Sequence, residues 1–179
     1  MKAFVSLIIF FSSFPLFAQE EQSIVPVDSE TGLIQFREVV DEQGSKEELF
    51  NRCIYWLNSY YKNSTRVTTI RDIQTGRIEG KHNIRIYYYN ADSVKTLAGT
   101  VDYVFNIQLK TNKYRYTISD LKFRTKTRIP IEKWLNKNDP EYNPHWDEYL
   151  QQIANYFEDW SNSLKKKMNP EVKKSDDDW

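Results

Sequence analysis

GTVDYVFNIQLKTNKYRYTISDLKFRT, residues Gly99–Thr125, decides the fold. Val101, Tyr103, Phe105, Ile107 and Leu109 recur at every second position, and Tyr114, Tyr116 and Ile118 do so again after a short break. A turn at Thr111-Asn112 sets Leu109 opposite Tyr114, Ile107 opposite Tyr116 and Phe105 opposite Ile118, so all six share a face. The other face then pairs Gln108 with Arg115, Asn106 with Thr117 and Val104 with Ser119. A slip of one residue would mix the two sets, so the register is specified. One face is built to be buried and one to be wet, the pattern of an antiparallel sheet covered on a single side.

Working outward, Ile78, Gly80, His82, Ile84, Ile86 and Tyr88 alternate with Arg77, Glu79, Lys81, Asn83, Arg85 and Tyr87. This is a long strand with a polar set of its own, and Gly80 marks a bulge or a close approach by a helix. Asn90–Leu97 reads as a polar connection and Gln74-Thr75-Gly76 as a turn. Arg66–Asp72 and Leu33–Val40 complete the strands. Ser45 and Glu48 form a capping box, and Leu49, Phe50, Cys53, Trp56, Leu57, Tyr60 and Tyr61 carry a helix through to Lys62. Asn143-Pro144 opens the last helix, whose stripe is Trp146, Tyr149, Leu150, Ile153, Phe157, Trp160 and Leu164. Lys165, Lys166 and Lys167 suit the dipole at its end. Between them, Ile129-Pro130-Ile131 with Trp134 and Leu135 predicts one helical turn. The expected fold is α+β: an antiparallel five-stranded sheet with two long helices on one face, in the order β-α-β-β-β-β-α. Trp56 and Trp160 should both press on the apolar face.

Residues 1–18 read as a secretory signal peptide: Lys2, an apolar run from Phe4 to Phe11, the breakers Ser12, Ser13 and Pro15, and a small residue, Ala18, at the cut. Residues 24–126 form the sheet domain, 127–168 a connecting segment and a C-terminal helix packing on it, and 169–179 a charged tail expected to be disordered. Export is therefore expected, to the periplasm or cell surface of a Gram-negative bacterium, with no stable membrane span after cleavage. No cysteine follows the cut, so the usual bacterial lipid attachment is not expected. Charges balance at 25 basic and 25 acidic residues, without the basic excess that nucleic-acid binding needs.

Catalytic signals are weak. With Cys53 the one cysteine and His82 and His145 the two histidines, neither a disulfide nor a metal site of Cys or His is expected, and no cofactor is implied. Cys53 lies in a helix stripe and reads as a small buried hydrophobe. His82, Asp102 and Ser119 would be the residue types of a triad, but the alternation puts His82 on the apolar face and the other two on the wet face. His82 is expected at the core edge with a backbone partner. Glu47, Glu48, Asp176 and Asp177 read as solvated surface.

The strings VPVDSETGLIQFREVV (Val25–Val40), SKEELFNRCIYWLNSYYKN (Ser45–Asn63), GRIEGKHNIRI (Gly76–Ile86) and GTVDYVFNIQLKTNKYRYTISDLKF (Gly99–Phe123) resemble a family of envelope proteins found mainly in Bacteroidetes. It is the domain of unknown function numbered 4468, with a TATA-binding-protein-like fold. The resemblance covers Val25–Lys126 and leaves the last helix outside. It implies a sheet with helices on one face and brings no catalytic or ligand motif. Its fold label brings no DNA binding with it, because function belongs to sites.

The sequence thus predicts an exported, non-catalytic module of the cell envelope that binds a protein or a small polar ligand, and no nucleic acid. The alternative is a weakly marked hydrolase or isomerase with a pocket between sheet and helices. The candidate partner-binding face is the wet one: Lys81, Asn83, Arg85 and Tyr87 from the long strand, with Asn106, Gln108, Arg115 and Thr117 from the hairpin. Arg85 and Arg115 are the groups expected to fork onto carboxylates.

Overall fold

The computed structural model describes residues 23–169. The expected signal peptide and, beyond Asn169, the expected charged tail lie outside those residues. Ten elements follow in chain order: β1 (Phe36–Asp41), α1 (Lys46–Tyr60), α2 (Ser64–Val67), β2 (Thr68–Asp72), β3 (Arg77–Tyr89), β4 (Lys95–Lys110), β5 (Lys113–Arg124), β6 (Arg128–Pro130), a 3-10 turn (Ile131–Leu135) and α3 (His145–Met168). The sheet is antiparallel in the order β1-β5-β4-β3-β2. β6 pairs the far end of β5, so β1 and β6 lie end to end along one edge.

The hairpin has the register its alternation requires. Leu109 pairs Tyr114, Ile107 pairs Tyr116 and Phe105 pairs Ile118, and Asn112 makes the turn at φ 60. The ladder continues to Val104–Ser119 and then shifts, because β5 spends three residues where β4 spends two. Asp120, at φ 54, is the extra residue. The bulge keeps Leu121 on the buried side after Ile118.

α1 and α3 cover one face. The capping box forms as read: Glu48 N–H donates to Ser45 Oγ, and Ser45 N–H donates to Glu48 Oε2. Trp56 and Trp160 are fully buried and meet edge to face at 4.9 Å between ring centres. Trp160 lies on the sheet against Tyr116 at 5.5 Å and Phe105 at 6.0 Å. A second aromatic cluster closes the far end, where Trp134 of the 3-10 turn contacts Phe123, Trp146 and Tyr149. Val25 and Ile34 of the lead-in are buried too, and Glu132 accepts the Ile34 N–H at 3.0 Å.

Several boundaries move. The helix expected to reach Lys62 ends at Tyr60, and Asn63 then caps the short α2, accepting from Arg66 N–H at 3.2 Å. Asn and Ser end one helix here by starting another. The strand expected from Arg66 therefore begins at Thr68, and the one expected from Leu33 begins at Phe36. The connection expected over Asn90–Leu97 is shorter, since β4 already begins at Lys95. Ile129 and Pro130 stand in β6, a sixth strand, and the helical turn starts after them: Pro130 faces the sheet edge, where its missing N–H costs nothing. α3 begins at His145, one residue after Pro144, and Asn143 just before it accepts the His145 N–H at 2.9 Å through its side chain.

Gly80 is a close approach. A Cβ there would lie 2.3 Å from the Phe105 ring and 2.6 Å from the Val67 carbonyl oxygen.

The uncovered sheet face as candidate functional site

All eight residues of the predicted face lie on the uncovered side, exposed or half-buried. They do not act together. Cross-strand rows fix their positions: Arg115 pairs Gln108, which pairs Arg77, whereas Arg85 pairs Thr100, which pairs Arg124. Arg77 and Arg85 are eight residues apart on β3, which at about 3.3 Å per residue separates the rows by ~26 Å. Arg85 and Arg115 therefore cannot fork onto one carboxylate. The hairpin alone gives no relation between them, because Arg85 lies on β3 and its place is set by the β3–β4 register.

Around Arg115 the polar side chains engage one another, while Lys110 and Lys113 at the turn beyond them are exposed and make no ion pair among the described residues. Arg115 donates to the Gln108 side-chain carbonyl, and Asn106 donates to Glu79. Arg77 Nε donates to the same Glu79 oxygen at 3.0 Å. At the β5–β6 end, Asp102 is held by Arg124 at 3.1 Å and Arg128 at 3.2 Å, and Lys122 pairs Asp120 at 2.7 Å. Asp72 caps its own turn through Thr75 and Gln74. The Lys81 half is different. Lys81 and Arg85 are exposed and have no ion pair among the described residues, and Tyr87 carries the Lys95 ammonium over its ring at 4.4 Å.

The triad types are not brought together. Asp102 pairs Asn83 on the uncovered face inside its arginine clamp, and Ser119 pairs Val104 on that face. His82 points under the helices, 5.1 Å from the Tyr61 ring and 6.3 Å from Tyr103. Burial holds its imidazole below the usual histidine range. The Asn83 backbone, a partner of the expected kind, offsets this only in part, and Nδ1 is left without a hydrogen bond. Burial pushes the Cys53 thiol up, away from a nucleophile's range. Among the described residues, no three His, Cys, Asp or Glu side chains converge as metal ligands. The space between sheet and helices, where the alternative reading sets a pocket, is occupied by Trp56, Phe105, Tyr116 and Trp160.

Sequence reasoning missed the hydroxyl relay beneath His82. Trp160 Nε1 donates to Tyr61 OH at 2.7 Å, Tyr61 OH bonds Tyr103 OH at 3.1 Å, and Tyr103 OH bonds Tyr156 OH at 3.2 Å. Burial raises the pKa of each of these tyrosines, so they stay protonated and serve as donors and acceptors within the core. Gln152 was missed as well. Its side chain accepts the Tyr87 N–H at 3.0 Å and donates to the Tyr87 carbonyl at 2.8 Å.

No curated protein matches the chain. Several solved structures share its fold. One is a TBP-like protein from Parabacteroides distasonis, with a TM-score of 0.66 and 15% identity, covering 82% of this chain and 97% of the other. Another is a DUF4468 family protein from Bacteroides ovatus, with a TM-score of 0.67 and 14% identity, covering 84% and 93%. Both cover more of the chain than residues 36–124 can supply, so the shared fold extends beyond the hairpin and its neighbouring strands. A family model described as a domain of unknown function (DUF4468) with TBP-like fold matches residues 36–124, and the sheet domain of this chain belongs to that family.

Proposed function

We propose that the protein is an exported, non-catalytic recognition module and that the Lys81–Arg85 end of its uncovered face takes an acidic partner, a protein or a small polar ligand of the cell envelope. One observation carries the reading. Around Lys81 and Arg85 the carboxylates of the face, Glu79, Asp102 and Asp72, are engaged elsewhere, and the two cations stand exposed without an ion pair among the described residues. The aromatic core of Trp56, Phe105, Tyr116 and Trp160 beneath the helices supports binding over catalysis between sheet and helices. Export rests on Lys2, the apolar run and Ala18.

Crosslinking in intact cells, followed by binding of the captured partner to purified variants, tests the site. Lys81→Glu with Arg85→Glu should abolish binding while leaving the melting curve in place, because both side chains are exposed. Arg115→Glu should leave binding intact. Equal binding by all three proteins would remove the site from this face. Protein taken from the native envelope should begin at Gln19; an intact Met1 would refute export.

A further inference from the structure

The outer edge of β3 is interrupted. Leu109 N–H donates to the Gly76 carbonyl at 2.8 Å, which places the backbone groups of Gly76 toward β4. Backbone direction alternates along a strand, so those of Arg77, Glu79, Lys81, Asn83, Arg85 and Tyr87 point away from β4. β2 takes up Arg77 and Glu79 and begins at Thr68 opposite Gly80. At the other end, Gln152 takes up both groups of Tyr87 with the two-bond exchange a neighbouring strand would make. Between these stops, the N–H and C=O groups of Asn83 and Arg85 have no backbone partner among the described residues, while the Thr68–Gly80 pairing turns the Lys81 N–H toward the Val67 carbonyl. The outer edges of β1 and β2 also meet no further strand. The β3 stretch differs in having fixed ends and in what lies beside it.

Beside it runs a cleft of about 490 Å³ whose lining includes Tyr61, Lys62, Arg66, Lys81, His82 and Asn83 and contains no carboxylate. Lys62, Arg66 and Lys81 are exposed and form no ion pair among the described residues. A strand laid along the notch would alternate its side chains. One set would stand on the uncovered face beside Lys81 and Arg85. The other would lie over His82 and Ile84, beside the half-buried Tyr60 and Tyr156.

We propose that an extended segment of a partner protein, acidic at alternate positions and apolar between them, adds to the sheet along Lys81–Arg85. Main-chain hydrogen bonds to Asn83 and Arg85 supply the fit, and the cations supply the selectivity. This rests on the preceding reading for the sign of the partner's charge and adds the backbone to it.

Amide hydrogen exchange on the mature chain tests it, with a blocked six-residue peptide of alternating Glu and Val as the probe and a Lys–Val peptide as control. The Glu–Val peptide should slow exchange at Asn83 and Arg85 by about tenfold or more and leave Ile84, already bonded to β4, unchanged. The Lys–Val peptide should protect neither. Lys62→Glu with Arg66→Glu, both outside the sheet, should weaken the Glu–Val peptide by about tenfold. Three results would overturn the proposal. One is no protection at Asn83 and Arg85. Another is equal protection by both peptides. The last is protection without peptide that vanishes on dilution, which would give the edge to a second copy of the chain. Loss of partner binding in Lys81→Glu with Arg85→Glu, without edge protection, would leave the flat-face reading standing and this one refuted.

Discussion

Tyr61 holds the centre of the core together through one oxygen. Its hydroxyl accepts from Trp160 and bonds Tyr103, and all three side chains are buried. Tyr61→Phe keeps the ring and orphans the indole N–H, so unfolding by urea should show a loss of about 1–3 kcal/mol. Trp160→Ala removes the ring that joins α3 to Phe105 and Tyr116 and should cost about 3–5 kcal/mol. The apolar stripes predicted Trp56 and Trp160 in the core, because periodicity reports which side faces the sheet. The relay was out of reach, since where a tyrosine oxygen ends depends on rotamers in three separate elements. Glu38 sets an acid limit. Burial works against its charge, but the Lys165 ammonium at 2.7 Å and the Tyr116 hydroxyl at 2.6 Å outweigh it, and its pKa falls below 4.5. A carboxyl whose pKa is lower when folded stabilises the protein above its unfolded value and loses that contribution as pH falls. With its side chain 41% exposed the effect is small. Glu38→Gln should flatten the stability–pH profile below pH 4.5 and leave it parallel to the parent above.

Elements were readable where their own pattern is complete. The β4–β5 register, the α1 cap and the α3 start all follow from adjacent residues. Elements whose limits are set by distant partners were not. β6 is three residues long and exists because the far end of β5 needs a neighbour. The β3–β4 ribbon beyond Arg85 and Thr100 has no third strand, and a lone two-stranded ribbon is marginal in water. Gln152 of α3 ties it down. Gln152→Leu should therefore speed amide exchange from Tyr87 to Leu97 while exchange in the β4–β5 hairpin stays as it was. A global increase would mean the clamp is not local. Gly80→Ala, which drives a Cβ into Phe105 and the Val67 carbonyl, should destabilise by more than its gain in strand propensity.

At the scale of the molecule, charge is sided. The chain balances 25 against 25, yet its uncovered face presents Lys81 and Arg85 unopposed. At neutral pH and low salt the protein should be retained on a sulfonate resin despite its near-zero net charge. It should elute as ionic strength passes about 0.1 M, where screening reaches ~10 Å. Lys81→Glu with Arg85→Glu should flow through; retention unchanged by that pair would place the attracting patch elsewhere. The sequence predicted the face, since alternation assigns sides, but not which cations on it are spent, since pairing depends on rows that bulges shift. Asp120 adds something of another kind. A strand has a reading frame of two, and losing a residue normally exchanges its inside for its outside. Deleting Asp120 would instead restore an even count: Ser119 and Lys122 would stay wet, and Leu121 would stay in the core without the bulge. Deleting Thr117 would turn the strand inside out. The β5 strand thus contains one position at which its length can change without altering what it says, and a chain one residue shorter there should still fold.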